Sequence, residues 1–196
     1  MARLAGWFGI KTEGMMKTAY FAGGCFWCIT PVFKENGGVL SVSSGYCGGD
    51  EANPKYEDVK AQRTHHRETL RIEYDEEKVS FGELLDIFLE SVDPFDAGGQ
   101  FIDRGSSYTL AIFCNDETER ITAEQKLRDL AIKEGRTPAV SVEPYKIFWP
   151  AEEYHQDYYL KNPEAFEKEL IESGRLSPSC PLGFRKKRLQ LKAGDF

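Results

Sequence analysis

With 196 residues, 41% hydrophobic and 13% aromatic, the chain can bury one substantial core, and a second independent domain would be cramped. A formal net charge of -7 sets up a field that repels nucleic acid and anionic lipid, so no nucleic-acid or membrane partner is expected and small molecules and other proteins are. No stretch approaches the roughly 20 consecutive apolar residues of a membrane-spanning helix, and five cysteines lack the density of a secreted disulfide scaffold, which points to a reducing, cytoplasmic setting.

The apolar run at residues 4–10 contains glycines and has no small-residue cleavage site, so it makes a poor signal peptide. Residues 1–16 are expected to form a leader outside the fold, with Met15-Met16 marking an alternative start. Residues 17–22 suit a short buried strand, broken by Gly23-Gly24 directly before Cys25. Phe26, Ile29 and Phe33 then recur at helical spacing up to the stop at Gly37-Gly38, so Cys25 opens a helix. Residues 39–46 read as a second strand, and the alternation of Leu70, Ile72 and Tyr74 as a third.

Ser80 followed by Glu83 has the form of a capping box, ahead of the apolar stripe Phe81, Leu84, Leu85, Phe88 and Val92. Residues 110–114 predict a strand. Residues 116–135 predict a helix with Ile121, Leu127, Leu130 and Ala131 inside, and residues 139–142 a further strand. A last helical region, residues 152–173, is interrupted at Pro163. Strands and helices interleaved without regular alternation predict an α+β fold, a mixed sheet with helices packed on it. Residues 17–173 form the expected single catalytic domain. Residues 174–196, rich in Ser, Pro and Gly and carrying a basic cluster at 185–188, read as a flexible C-terminal tail.

The chemistry concentrates at Cys25. A helix N-terminus stabilises a thiolate through its unpaired N–H groups and dipole. Gly23 and Gly24 permit close backbone approach and unusual dihedrals, so that a substrate atom can reach the sulfur, and the aromatic pair Phe26-Trp27 follows with an exposed look. Cys25 and Cys28 also have the spacing of a redox pair. No second such pair completes a zinc site, and Cys47 with His65 or His66 matches no ribbon or finger spacing, so no metal is expected.

The segments Gly23-Gly24-Cys25-Phe26-Trp27, Gly45-Tyr46-Cys47-Gly48-Gly49, Asn53-Pro54-Lys55-Tyr56 and Thr64-His65-His66-Arg67-Glu68, in that order, resemble successive blocks of the A-type peptide methionine sulfoxide reductases. The resemblance continues through Asp93-Pro94, residues 99–108 and Ala151-Glu152-Glu153-Tyr154-His155-Gln156, and covers residues 17–166. It implies a ferredoxin-like two-layer sandwich or roll and reduction of the S epimer of methionine sulfoxide, free or in proteins, with thioredoxin as electron donor and no cofactor. It also implies that Cys25 is the nucleophile and Glu68 the acid. Tyr56 and Tyr108 would supply the hydroxyls that hold the sulfoxide oxygen, Asp103 the carboxylate that organises the pocket, and Phe26 and Trp27 the wall for the substrate methyl.

That chemistry needs a proton donor aimed at the oxygen, because thiolate attack on the sulfoxide sulfur leaves negative charge there. Glu68 meets the need only if burial beside aromatic rings keeps it neutral. The expected product on the enzyme is a sulfenic acid on Cys25. His155 is expected to make a structural hydrogen bond.

Many relatives have Gly at position 28 and Glu at position 30, whereas this chain has Cys28 and Thr30. Which thiol attacks the sulfenic acid is thereby left open between Cys28, Cys180 in the tail and Cys47 in a glycine loop, with Cys114 in an apolar strand read as inert. Two further readings stand beside the reductase: a thioredoxin-like dithiol oxidoreductase using Cys25 and Cys28, which the bulky Phe26-Trp27 spacer disfavours, and a binding module without chemistry.

Overall fold

The computed structural model describes residues 16–175. Residues 1–15 of the leader and 176–196 of the tail, Cys180 and the basic cluster among them, lie outside the described residues. The described chain runs through β1 (Met16–Ala22), α1 (Phe26–Lys34), β2 (Val39–Cys47), α2 (Tyr56–Lys60), β3 (Arg67–Asp75), α3 (Phe81–Ser91), β4 (Gly99–Gln100) and β5 (Asp103–Arg104). It continues through β6 (Leu110–Cys114), α4 (Glu117–Glu134), β7 (Val140–Pro144), β8 (Trp149–Pro150), α5 (Tyr158–Lys161) and α6 (Pro163–Glu172), with 3-10 turns at Ser106–Tyr108 and Glu153–His155.

Six strands form one mixed sheet in the order β7-β6-β1-β3-β2-β8, in which only β6 and β7 run parallel. The two central strands, β1 and β3, are antiparallel, with Phe21 opposite Leu70. Period-2 alternation sends Ala19 and Phe21 of β1 and Leu110 and Ile112 of β6 to one face. There they pack with Ile29 and Phe33 of α1 and Leu84, Leu85 and Phe88 of α3. Phe21 and Phe88 stack at 5.0 Å, and truncating either ring to alanine costs about 3–5 kcal/mol. Tyr20, Ala22, Ala111 and Phe113 face the other way and are covered by Phe148 and Tyr145. Burial on both faces explains why β6 is apolar without alternation.

The α3 start is the expected capping box: Ser80 Oγ accepts from the Glu83 amide, and the Glu83 carboxylate accepts from the Ser80 amide at 2.8 Å. Three expectations need correction. Met16 opens β1, paired with Asp75, so the ordered sheet begins one residue inside the assigned leader. Ile121 is 52% exposed; α4 buries Ala123 and Glu119 instead, and the Asn115 amide group holds the Glu119 carboxylate, which makes that burial tolerable. Arg175, assigned to the tail, is 2% exposed and so packs with the domain.

Candidate active site

The end of β1 delivers the chain to a turn in which Gly24 has φ +77°, and Cys25 follows as the N-cap of α1. Gly24 has the unusual dihedral that the sequence suggested, and both glycines are also needed for protein packing. A Cβ on Gly23 would lie 2.6 Å from Ile29 Cδ1, and one on Gly24 would lie 2.7 Å from Gln100 Cβ. Because β3 runs antiparallel to β1, its first residues lie beside this turn, and Glu68 comes up against the start of α1, where the Phe26 amide donates to Glu68 Oε2 at 3.0 Å.

These elements enclose a cavity of about 210 Å³ lined by Cys25, Phe26, Trp27, Tyr56, Glu68, Asp103 and Tyr108, together with Lys60 and Glu169. All seven residues assigned to chemistry or substrate contact thus meet in one pocket. Phe26 is buried in the main core while touching the pocket, so the pair is not jointly exposed; Trp27 is half-buried. Trp27 stacks on Tyr158 at 3.8 Å, and its indole Nε1 donates to His155 Nδ1 at 3.1 Å. That bond requires a neutral acceptor nitrogen, and burial lowers the His155 pKa to about 4. Glu152 ties the surround together, accepting from the Tyr46 hydroxyl at 3.0 Å and from the Tyr56 amide at 3.1 Å.

Glu68 is 2% exposed, and burial, reinforced by the charges of Asp103 and Glu169, lifts its pKa to about 8 against the pull of the Phe26 amide. It is a neutral acid at pH 7. Burial likewise raises the pKa of Tyr56 and Tyr108, so both keep their hydroxyl protons. The Cys25 thiol is also pushed well above its ordinary pKa, by hydrogen bonding with Cys28, by burial and by the nearby carboxylates. The helix start that the sequence placed at Cys25 is present, and the Cys28 hydrogen bond, burial and negative neighbours act against it.

The candidate resolving thiols separate clearly. Cys28 is fully buried one turn into α1, in the same cluster as Cys25. Cys47 ends β2 on the other face of the sheet, where its Sγ contacts the Ile147 carbonyl at 3.2 Å and burial raises its pKa to about 12; it is not brought to the pocket. Cys114 lies in the core beneath the helices.

Sequence reasoning passed over Glu169 and Arg175. Glu169 of α6 accepts from Cys25 Sγ at 3.6 Å. Arg175 Nη1 lies 3.0 Å from Cys28 Sγ and 3.3 Å from Asp103 Oδ2, with its guanidinium over the Phe101 ring. The two sulfurs and a Glu169 oxygen fall within 4.8 Å of one another. The Arg175 guanidinium at Cys28 sets positive charge beside this cluster, which disfavours a cation there.

A buried thiol pair facing a neutral carboxyl and two phenols is the site of a thiol-dependent oxidoreductase. Comparison with known proteins specifies which. The family model for peptide methionine sulfoxide reductase matches residues 17–177, and the chain belongs to that family. It is 48% identical over 154 residues to the peptide methionine sulfoxide reductase MsrA of Ligilactobacillus salivarius, covering 78% of this chain and 90% of that protein. Among solved structures, reduced Mxr1 from Saccharomyces cerevisiae aligns with TM-score 0.72 at 29% identity, covering 76% of this chain and 87% of that one. Methionine sulfoxide reductase A of Corynebacterium diphtheriae gives 0.69 at 30%, covering 78% and 77%. Mxr1 has also been solved in complex with Trx2.

Proposed function

We propose that the chain reduces the S-sulfoxide of methionine, free or in proteins, with Cys25 as nucleophile and Glu68 as acid. The observation that carries the reading is the neutral, buried Glu68 in one cavity with Cys25 and the Tyr56 and Tyr108 hydroxyls. The phenols hold the sulfoxide oxygen, Glu68 protonates it as the Cys25 sulfur attacks, and Trp27 and Phe26 receive the methyl group. Methionine leaves and Cys25 becomes a sulfenic acid; the substrate sulfur gains the two electrons that the cysteine sulfur loses. Asp103, held by Arg175, keeps the pocket charged and ordered.

Cys28 then attacks the sulfenic acid and water leaves, giving a Cys25–Cys28 disulfide. The proximity of the two sulfurs supports this choice over Cys47. A thioredoxin reduces the disulfide, as the Trx2 complex of Mxr1 suggests by kinship. The strand order β6-β1-β3-β2, with α1 and α3 on one face, supports a ferredoxin-like sandwich as the single catalytic domain. Among the described residues no helix is long and apolar enough to cross a membrane, and free buried thiols favour the cytoplasm.

The test is single-turnover release of methionine from each sulfoxide epimer by wild type, Cys25→Ser and Glu68→Gln. Release from the S epimer alone, lost in Cys25→Ser and slowed severely in Glu68→Gln, is the expected result. Equal rates for both epimers would overturn the assignment.

A further inference from the structure

The reaction needs two opposite proton movements at one pocket: a proton must reach the sulfoxide oxygen, and another must leave the Cys25 thiol. Glu68 can supply the first, but a neutral acid cannot accept the second. The environment of Cys25 favours the protonated thiol, so a group beside it has to take that proton as substrate binds.

We propose that Glu169 of α6 is the base that deprotonates Cys25. Its Oε1 is the acceptor of the Cys25 S–H, 3.6 Å away, and it lines the same cavity. Its setting differs from that of Glu68 in the required sense. Glu68 is fully enclosed, whereas Glu169 is half-buried and feels the positive charge of Arg175 as well as that of Lys60, which acts on both carboxyls; these charges favour its ionised form. Burial and Asp103 still raise its pKa, which brings a carboxylate nearer in strength to a thiol and eases the transfer. Glu68, enclosed and bonded to the Phe26 amide, and Glu169, half-buried with its Oε1 on the Cys25 thiol, divide the donor and acceptor roles by position.

The steps balance. The Cys25 S–H bond breaks and its proton passes to Glu169. The thiolate is then oxidised to the sulfenic acid while Glu68 gives its proton to the sulfoxide oxygen, leaving Glu68 ionised and Glu169 neutral. When Cys28 attacks, the departing hydroxide takes the Glu169 proton as water, and the proton released by Cys28 restores Glu68. Both acids are reset before the disulfide is reduced.

The inference rests on Cys25 being the nucleophile. The groups facing Glu169 are Cys25 and Cys28 at the α1 start, Tyr56 and Lys60 of α2, and Glu68 of β3. Asp103 of β5, Tyr158 of α5 and Arg175 complete the set. The experiment is first-turnover methionine release by wild type and Glu169→Gln from pH 6 to 10. At neutral pH the variant should be slower by about 10²-fold, and the gap should narrow as pH rises and solvent takes over deprotonation. Glu169→Asp, which keeps the charge farther from the sulfur, should lose less and follow the same pH form; it serves alone if the Gln variant does not fold.

No loss, or a loss equal at all pH values, would overturn the proposal. So would a gap that widens with pH, because removing the Glu169 charge would then act only by letting Glu68 ionise earlier. If wild type itself releases no methionine, the failure lies with the proposed activity and not with this base.

Discussion

Phe26 and Glu68 are joined by a single hydrogen bond from the helix amide to Oε2, 3.0 Å long and spanning 42 positions of sequence. That bond anchors Oε2 and so fixes the orientation of the carboxyl as well as its place. Glu68→Gln keeps the shape but cannot give up a proton, so first-turnover methionine release should fall about 10²–10⁴-fold while substrate affinity changes little. Rapid-quench single-turnover measurements check this. An unchanged rate would remove Glu68 from the mechanism.

The same residue predicts a pH dependence of stability. The folded pKa of about 8 exceeds the ordinary value of 4.5, so the folded state holds this proton more tightly than the unfolded chain. The contribution is complete below pH 4.5 and is lost as pH rises through 8, at most about 1.4 kcal/mol per pH unit. Urea unfolding of wild type minus Glu68→Gln, followed from pH 5 to 9, should show a declining difference. A flat difference would mean that Glu68 is not held neutral.

Cys28→Ser should still release one methionine per enzyme with a first-turnover rate near that of wild type, while steady-state turnover with thioredoxin collapses. Peptide mapping of the wild type after one equivalent of substrate should find Cys25 joined to Cys28. A variant dead in the first turnover would favour the dithiol oxidoreductase reading, and a disulfide to Cys180 would transfer the resolving role to the tail.

His155→Ala releases the indole of Trp27, so KM for methionine sulfoxide should rise several-fold with a smaller change in kcat, because the wall binds substrate and transition state alike. With the His155 pKa depressed from 6.5 to about 4, its contribution to stability is present above pH 6.5 and is lost as pH falls through 4. Acid unfolding of the variant should therefore be shallower in that window. A KM equal to wild type would show that the Trp27 contact is dispensable.

Arg175→Ala leaves Asp103 and Cys28 without the guanidinium that touches both, and should lower the unfolding free energy by about 3 kcal/mol. A chain ended after Ser173 should be less stable than one ended after Arg175 by a similar amount. Equal stability of the two truncations by thermal melting would sink this prediction.

Cys25, Phe26 and Trp27 were legible from local signals, a glycine break, a cysteine at a helix start and aromatic neighbours, whereas Glu68, Tyr56, Tyr108 and Asp103 were reached only through the family resemblance. The period-2 runs of β1 and β3 and the Ser80–Glu83 cap were equally readable, since each depends on neighbours within a few positions. The two-residue strands β4, β5 and β8 have no period to read, and α2 is five residues long. Glu169 and Arg175 sit 144 and 147 positions from their cysteine partners, on a helix and turn whose sequence reads as ordinary charged surface. Ile121 misled because α4 covers the sheet with its small Ala123 and the capped Glu119, leaving the larger side chain outside. The helix-end field at Cys25 is a local signal, whereas part of what opposes it, the carboxylates of β3 and α6, comes from distant sequence.

The turn between Ala22 and Phe26 connects an inner strand of the sheet to a helix pressed against it, with Ile29 and Gln100 filling the space a side chain would take. Such a turn has no slack. One inserted residue there would displace the sulfur by about 3 Å and carry it out of reach of both carboxyls, whereas an insertion at Gly135, which has open space around it, would be absorbed by the surface. Tolerance to lengthening is thus distributed unevenly along this chain, least at its catalytic joint and greatest at the far end of α4.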